Sequence, residues 1–405
     1  MTPEQLQIAV VVRPAAGEHP NELARTMAPH PLIHQELPYS PEYFVYNRRL
    51  AAGRMTNYTP DEVYWAVRTN VIMRHTAELP VDVRGPDAET LLNRVFTRDV
   101  AKTRIGRCSY QFVCDYGGGM ITDGVLVRVA DDRYWYGQGD GDVISFMKAH
   151  AHDLDVKIGD TDIWVTQIQG PNAMKVLANA IDGPMPEPFN YFDMACVPIA
   201  GEMVVITRTG FTNELGWEYY LEPHQDAHVI GKAILEAGAE FGMMPTSAEA
   251  FRARRIEAGL LNAGSDFDET TTPFAAGLGH LVDFEKADFS GRDALLTADR
   301  SRRTWGLKVT EGIAQIGRTL TQQGAICGRV CSSARSPYLD CGVAIIRLDE
   351  PGSKPGDSIE VECIDGVIRR AEICALPMYD KKGDIVRGRH IDVPRIPTEK
   401  HAESA

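Results

Sequence analysis

Two stretches of this chain repeat one pattern, and that repetition narrows the available folds more than any other feature of the sequence. In the first, Val81 and Val83 alternate with Asp82 and Arg84 as a strand, Gly85-Pro86 follows, and Ala88, Leu91, Leu92 and Val95 recur at helical spacing. In the second, Trp164 to Gln169 reads as a strand, Gly170-Pro171 follows, and Ala173, Val176, Leu177 and Ala180 each stand 85 residues beyond their counterparts. A strand, turn and helix used twice imply a duplicated α+β body, and duplicated halves commonly make a cleft where they meet.

Between the copies, Ser109 to Cys114, Gly124 to Val129 and Tyr134 to Tyr136 read as strands of a meander broken by Gly117-Gly118-Gly119, so the sheet is antiparallel or mixed. Thr246, with Glu249 three residues on, predicts a capping box and a helix running to about Leu261. After about Ser301, short strands alternate with turn residues: Trp305 to Val309, Val343 to Arg347, Ser358 to Cys363 and Val367 to Cys374. That is the texture of a small β-barrel or sandwich. The first sixty or so residues hold prolines at 14, 20, 29, 31, 38, 41 and 60 and read as an arm wrapping the core. At 405 residues the chain exceeds what one core holds. The expected division is an arm over 1–62, a duplicated α+β region over 63–300, a β-barrel over 301–395 and a tail over 396–405.

A formal charge of −14 argues against a nucleic-acid partner, which needs a surplus of Lys and Arg, and sends any anionic ligand to a local cationic site. No apolar run approaches the roughly 18 residues of a membrane span, and Met1 to Pro14 lacks the basic segment of a secretory signal. A soluble, cytoplasmic protein is the expectation, with no membrane partner. Eight cysteines without a CxxC pair fit reduced thiols, and the scattered histidines offer no metal-ligand spacing. The Gly137, Gly139, Gly141 series meets Asp142 where a dinucleotide fingerprint needs its third glycine. No metal and no dinucleotide is expected.

Three runs carry polar chemistry. Tyr110 to Asp123 sets Tyr110, Asp115 and Asp123 around a glycine hairpin, which by itself reads as turn chemistry. Arg208 to Glu218 puts Glu214 among bend-forming residues, with Phe211 and Trp217 on either side, as a planar ligand with NH donors would require. An ordinary loop glutamate before a strand reads equally well there. Arg252, Arg254 and Arg255 are either a solvated face or, for Arg255 between Phe251, Ala253 and Ile256, a fork for a ligand carboxylate.

Taken in order, these runs resemble the T-protein family of folate enzymes, which includes aminomethyltransferases, the folate domains of dimethylglycine and sarcosine oxidising enzymes, dimethylsulfoniopropionate demethylase and aromatic O-demethylases. The family's Tyr-x-x-x-x-Asn-x-x-Gly-Gly-x-x-Asp-Asp run looks like Tyr110 through Asp123, with Asp115 for the asparagine and Thr122 for the first aspartate. Its Arg-Thr-Gly-Tyr-Thr-Gly-Glu-x-Gly-x-Glu run is similar to Arg208 through Glu218, and its Leu-Arg-Leu-Glu-Ala-Gly run to Arg254 through Gly259. Thr272 to Gly279 and Phe289 to Arg292 look like the family's approach to its barrel. The departure at Thr122 argues against glycine cleavage, and Val45 to Leu50, Arg107 to Tyr110 and Asp115 resemble the dimethylsulfoniopropionate demethylase branch more closely.

The resemblance implies a three-domain clover with tetrahydrofolate as co-substrate in a central hole. Glu214, Arg255, Asp115, Phe211 and Trp217 are then the expected cofactor-binding residues, with Glu214 pairing the pteridine edge and Arg255 gripping a tail carboxylate or steadying Glu214. Asp123 and Tyr110 are the expected catalytic pair, and Tyr116, Tyr191 or His280 the candidate acids toward a leaving group. The implied reaction moves a methyl group from a small S-, O- or N-methylated substrate to N5 of tetrahydrofolate. An aminomethyltransferase of a glycine-cleavage-type system and a non-catalytic folate-binding module remain alternatives, and a homo-oligomer stays open.

Overall fold

The computed structural model describes residues 28–139, 141 and 143–389, so the expected tail and the first part of the arm lie outside the described residues. In chain order come the hairpin β1 (Pro41–Tyr46) and β2 (Arg49–Met55), α1 (Pro60–Thr69), β3 (Ile72–His75), β4 (Leu79–Arg84), α2 (Ala88–Val95), β5 (Arg107–Cys114), β6 (Met120–Ala130) and β7 (Arg133–Gln138). Then follow α3 (Val143–Ala149), β8 (Lys157–Asp160), β9 (Trp164–Gln169), α4 (Ala173–Ala180), β10 (Met194–Ile199), β11 (Glu202–Thr207), β12 (Gly216–Leu221), α5 (Ala227–Ala239), β13 (Met244–Pro245), α6 (Glu249–Ala258) and α7 (Arg292–Thr297). Six further strands close the chain: β14 (Thr304–Val309), β15 (Thr319–Gln322), β16 (Ala325–Ser336), β17 (Cys341–Leu348), β18 (Ser358–Glu362) and β19 (Ile368–Cys374).

The repetition seen in the sequence is a repetition of topology. One sheet runs β5-β6-β7-β4-β8 and the other β10-β11-β12-β9-β3, with β13 added beside β3. The helices after the two Gly-Pro turns, α2 and α4, start and end at matching positions. At the turns themselves Gly85 has φ +133° and Gly170 φ +126°, and a Cβ would lie 2.6 Å from the Asp155 carbonyl in one case and 2.5 Å from that of Asn70 in the other. Both positions therefore demand glycine for conformation and for space.

Outer faces of the sheets are apolar and covered by helices. Val81, Val83 and Leu126 pack with Leu91, Leu92 and Val95 of α2, while Ile168, Val204, Trp217 and Tyr219 pack with Val176 and Leu177 of α4 and Ile230 and Ile234 of α5. Each such side chain, fully buried, contributes about 1.5–3 kcal/mol. The inner faces meet through Cys108, Val127 and Trp135 on one sheet and Val165, Val205 and Tyr220 on the other. The barrel closes in the order β14-β17-β16-β15-β18-β19, with β14 also paired to β19. The whole is α+β, as expected.

Two local expectations differ from the structure. α6 starts at Glu249 with Ala248 as its cap and stops at Gly259, whose φ is +71°. Thr246 makes no capping box because its N–H donates to the Met73 carbonyl at 2.8 Å, continuing the pairing of β13 with β3. The capping box lies elsewhere: the Thr59 hydroxyl accepts from the Glu62 N–H at 3.2 Å, the Glu62 carboxylate accepts from the Thr59 N–H at 2.8 Å, and Pro60 opens α1. Proline at a first helical position fits because its missing N–H would have no helical partner there.

Gly170→Ala is expected to lower stability by at least about 2 kcal/mol in urea denaturation, since the left-handed conformation and the Asn70 carbonyl both oppose a Cβ. Gly159→Ala, where a Cβ meets nothing within 4 Å, is the control and should be neutral or slightly stabilising.

Candidate active site

Strand alternation decides which side chains enter the space between the sheets. Along β12, Trp217, Tyr219 and Leu221 belong to the helix-covered core, so Glu218 and Tyr220 look inward. Cross-strand pairing then lines up Thr207, Glu218, Gln167 and Arg74 as one polar row across β11, β12, β9 and β3. Gln167 Nε2 donates to Glu218 Oε1 at 2.6 Å, and the Thr209 hydroxyl donates to the other carboxylate oxygen. Gln167 Oε1 and Arg74 Nε are buried without a hydrogen-bond partner, leaving one acceptor and one donor in that row for a ligand.

The opposite sheet presents Tyr110 and Asp123, on the same inward parity as Cys108 and Val127. The Tyr110 hydroxyl donates to Asp123 Oδ2 at 2.6 Å. Gly139 N–H donates to the Asp123 carbonyl at 2.9 Å, and Asn47 Nδ2, from the tip of the β1–β2 hairpin, donates to the Gly139 carbonyl at 3.3 Å. The arm thus braces the strand that carries Asp123.

Burial dominates the proton affinities here. It pushes Asp123 up to about 6, with the Tyr110 hydrogen bond and the Arg255 charge pulling back and Asp266 pushing further. Glu78 is pushed up to about 8 by burial first and then by the Glu218 charge, against the pull of Arg74. Glu36 is pushed up to about 8 by burial, opposed by the Tyr43 hydroxyl, which donates to it at 2.9 Å, and by Arg74. Arg74 and Glu78 keep some accessible surface while burial still dominates their proton affinities.

The structure separates the residues the sequence grouped. Arg255 donates from Nη1 to Asp266 Oδ2 at 2.6 Å and from Nη2 to Ser332 Oγ at 2.7 Å, and its charge reaches Asp123. Glu214 instead accepts from Arg68 Nη1 and Arg254 Nε, both at 2.5 Å, in a buried network. That network extends to Glu257, which accepts from Tyr64, Ser336 and Tyr379. No hydrogen bond or ion pair joins Glu214 to Arg255 among the described residues; the neighbouring Arg254 steadies Glu214 instead.

The expected aromatic wall at Trp217 is corrected by alternation: Trp217 is 2% exposed in the core beside Phe189, on the face opposite Glu218. Phe211 lies half-buried in the loop before β12. Asp115 closes the β5–β6 turn, its Oδ1 accepting from the Gly119 N–H at 2.9 Å, so its carboxylate is engaged by its own hairpin. Tyr116 and His280 are exposed, while Tyr191 lines a cleft together with Tyr110. Glu218, Gln167, Arg74, Glu36 and Glu78 were not singled out from the sequence. For Glu218 a signal existed, since inward parity follows once its neighbours Trp217 and Tyr219 are placed in the core.

Residues 36–286 match the GCVT N-terminal domain, and residues 302–380 match the glycine cleavage T-protein C-terminal barrel domain. The chain is 32% identical over 406 residues to the trimethylamine-oxide aldolase of Ruegeria pomeroyi; the match covers 93% of this chain and 50% of the relative, so the chain spans half that protein's length. It is 30% identical over 313 residues to an aminomethyltransferase of Halothermothrix orenii, covering 75% of this chain and 86% of that one. The crystal structure of aminomethyltransferase T from Bartonella henselae has the same fold, with a TM-score of 0.78 over 87% of this chain and 98% of that chain at 23% identity. By class this is a protein with the N-terminal domain and C-terminal barrel of the glycine cleavage T-proteins. The chain belongs to the glycine cleavage T-protein (GcvT) family.

Glu214→Ala leaves two guanidinium groups buried without their shared carboxylate. It should cost about 3–5 kcal/mol of stability, measured by chemical denaturation, because an uncompensated buried charge is expensive.

Proposed function

We propose that this protein is a tetrahydrofolate-dependent one-carbon transferase that takes a methyl group from a small methylated donor. The observation that carries this reading is the inward polar row Thr207, Glu218, Gln167 and Arg74, set opposite Tyr110 and Asp123 between two related sheets. A reduced pterin presents NH donors and a carbonyl acceptor along one planar edge. Glu218 and the unpartnered Gln167 Oε1 offer acceptors and Arg74 Nε offers a donor, so the residues present fit such an edge. Bound tetrahydrofolate supplies the nucleophilic nitrogen that accepts the carbon.

The chain's own residues then have distinct tasks. Glu218 and Gln167 orient the ring, which places the acceptor for reaction. Asp123 accepts a proton inside a site of low polarity, and Tyr110 tunes it by stabilising the carboxylate. Arg255, held by Asp266 and Ser332, supplies a fixed positive charge near Asp123. In this reading Glu214 braces the protein behind the site, and the pairing role expected of it passes to Glu218 four positions on.

A second reading, aminomethyl transfer, has its own support. Relatives at 30% identity carry that name. The departure at Thr122 does not touch the interior, because Thr122 shares the parity of Leu126 in the helix-covered core. Incubation with tetrahydrofolate and either a panel of S-, O- and N-methylated compounds or an aminomethyl-bearing lipoyl carrier separates the readings by mass spectrometry. Formation of 5-methyltetrahydrofolate from the methylated panel supports methyl transfer; methylenetetrahydrofolate with release of ammonia from the aminomethyl carrier alone supports the second reading; tight binding without turnover of any donor points to a non-catalytic folate module.

Three variants have distinct expected outcomes. Asp123→Asn should lower kcat by about 100-fold or more, while the dissociation constant for tetrahydrofolate, read by calorimetry, moves little. Glu218→Ala should instead weaken binding by about 1.5–3 kcal/mol. The acid limb of kcat/KM should fall as pH drops through about 6, because Asp123 protonates there and ceases to be a base. In Tyr110→Phe the limb should move to higher pH, since a hydrogen bond to the charged form is lost.

A further inference from the structure

A cleft of about 510 Å³ opens beside Tyr110, and five arginines line it: Arg98, Arg107, Arg208, Arg387 and Arg389. Three separate parts of the fold supply them. Arg98 and Arg107 come from the first repeat, Arg208 from the second, and Arg387 and Arg389 from the segment after the barrel. In a chain of formal charge −14, such a concentration of cations is a local reversal of sign.

Most of that charge is unmatched. Arg107 pairs with Asp193, and Arg389 stands 3.8 Å from Asp384. Arg98, Arg208 and Arg387 form no ion pair among the described residues and are held by neutral carbonyls. Arg98 Nη1 donates to Tyr110 O at 2.7 Å, Arg208 Nη1 to Phe189 O at 2.6 Å, and Arg387 Nη1 to the carbonyls of Lys382 and Gly383 at 3.0 and 2.9 Å. Carbonyl partners fix a guanidinium in place without neutralising it, which leaves its remaining donors and its charge for an anion.

The wall is also ordered from within. Both oxygens of Asp380 accept backbone N–H groups, from Asp384 at 2.8 Å and Ile385 at 3.1 Å, and Arg208 Nη2 reaches the Val386 carbonyl at 3.4 Å. The Arg387 guanidinium lies 5.4 Å over the Tyr191 ring. The cleft's link to the reaction centre is Tyr110 itself, which lines the cleft and donates to Asp123.

We propose that this cleft is a binding site for a ligand bearing several carboxylates, with Tyr110 at its inner end. A single carboxylate would engage one or two of the forks, whereas a chain of carboxylates can meet arginines from all three parts of the fold. Two sources share that chemistry: a poly-γ-glutamyl extension of the reduced folate, which rests on the function proposed above, and a separate polycarboxylic acid, which does not.

The test uses the full chain and calorimetry. Three probes are tetrahydropteroyl monoglutamate, its pentaglutamate, and free γ-glutamyl tetrapeptide with its fully amidated form as control. At low ionic strength the pentaglutamate should bind about tenfold or more tighter than the monoglutamate. That advantage should shrink toward unity at about 0.5 M salt, where the screening length falls to a few ångströms. The free peptide should bind and its amide should not. Arg98→Gln and the double variant Arg387→Gln, Arg389→Gln should each bring the ratio of the two folates toward one; the latter pair is exposed, so folding should survive. Peptide binding without a pentaglutamate advantage assigns the cleft to a separate acid. Equal affinity for both folates together with no peptide binding overturns the proposal while leaving the folate reading intact. Failure of the monoglutamate alone to bind counts against that reading and not against the cleft.

Discussion

An interior lined by carboxylates is costly, and the arrangement of this protein follows from keeping one. Glu36, Glu78 and Glu218 share the space around Arg74, the charge of Asp123 reaches Glu78, and burial raises the proton affinity of each carboxylate. A close-packed apolar filling would be the more stable solution for two sheets facing each other, and it is the one adopted where Trp135 meets Tyr220, ring centroids 5.8 Å apart. Elsewhere between the sheets polar groups face one another, held by hydrogen bonds from Gln167, Thr209, Tyr43 and Tyr110. The stability forgone there includes polar atoms such as Gln167 Oε1 and Arg74 Nε that are buried without a hydrogen-bond partner.

Support for that interior comes from outside it. The Glu214 and Glu257 carboxylates tie α1, α6, the loop before β12 and the barrel together through Arg68, Arg254, Tyr64, Ser336 and Tyr379. A second bundle of contacts around Arg255, Asp266 and Ser332 ties α6 to β16 close to Asp123. Consecutive residues on one helix, Arg254 and Arg255, thus serve two different clusters, because a step of about 100° along a helix sends neighbours in different directions.

How much of this was legible in the sequence depends on whether the signal was local. The duplicated body was, because Gly85 and Gly170 occupy backbone conformations closed to other residues and leave a repeated dipeptide behind. The proximity of Tyr110 to Asp123 was also legible, since the two lie on adjacent strands joined by a glycine turn. Glu218 was hidden by Glu214: both fall in one run, and only the start of β12 at Gly216 tells the loop glutamate from the strand glutamate. Arg74, Glu78 and Glu36 carry no local motif at all. Their place is fixed by pairing between strands far apart in the chain, as with Arg74 opposite Gln167. The α6 start was misjudged for the same reason, since Thr246 was claimed by a neighbouring strand.

The contrast between Thr122 and Asp123 bears on how members of this family are compared. Two consecutive positions on β6 look to opposite sides of the sheet, one toward the helix-covered core and one toward Tyr110 on the inner face. A tally that treats the pair as a unit counts a threonine in the first position as damage to the chemistry. Pleating makes it a question of how the outer layer is filled, so divergence there can accumulate without disturbing the face that carries Asp123.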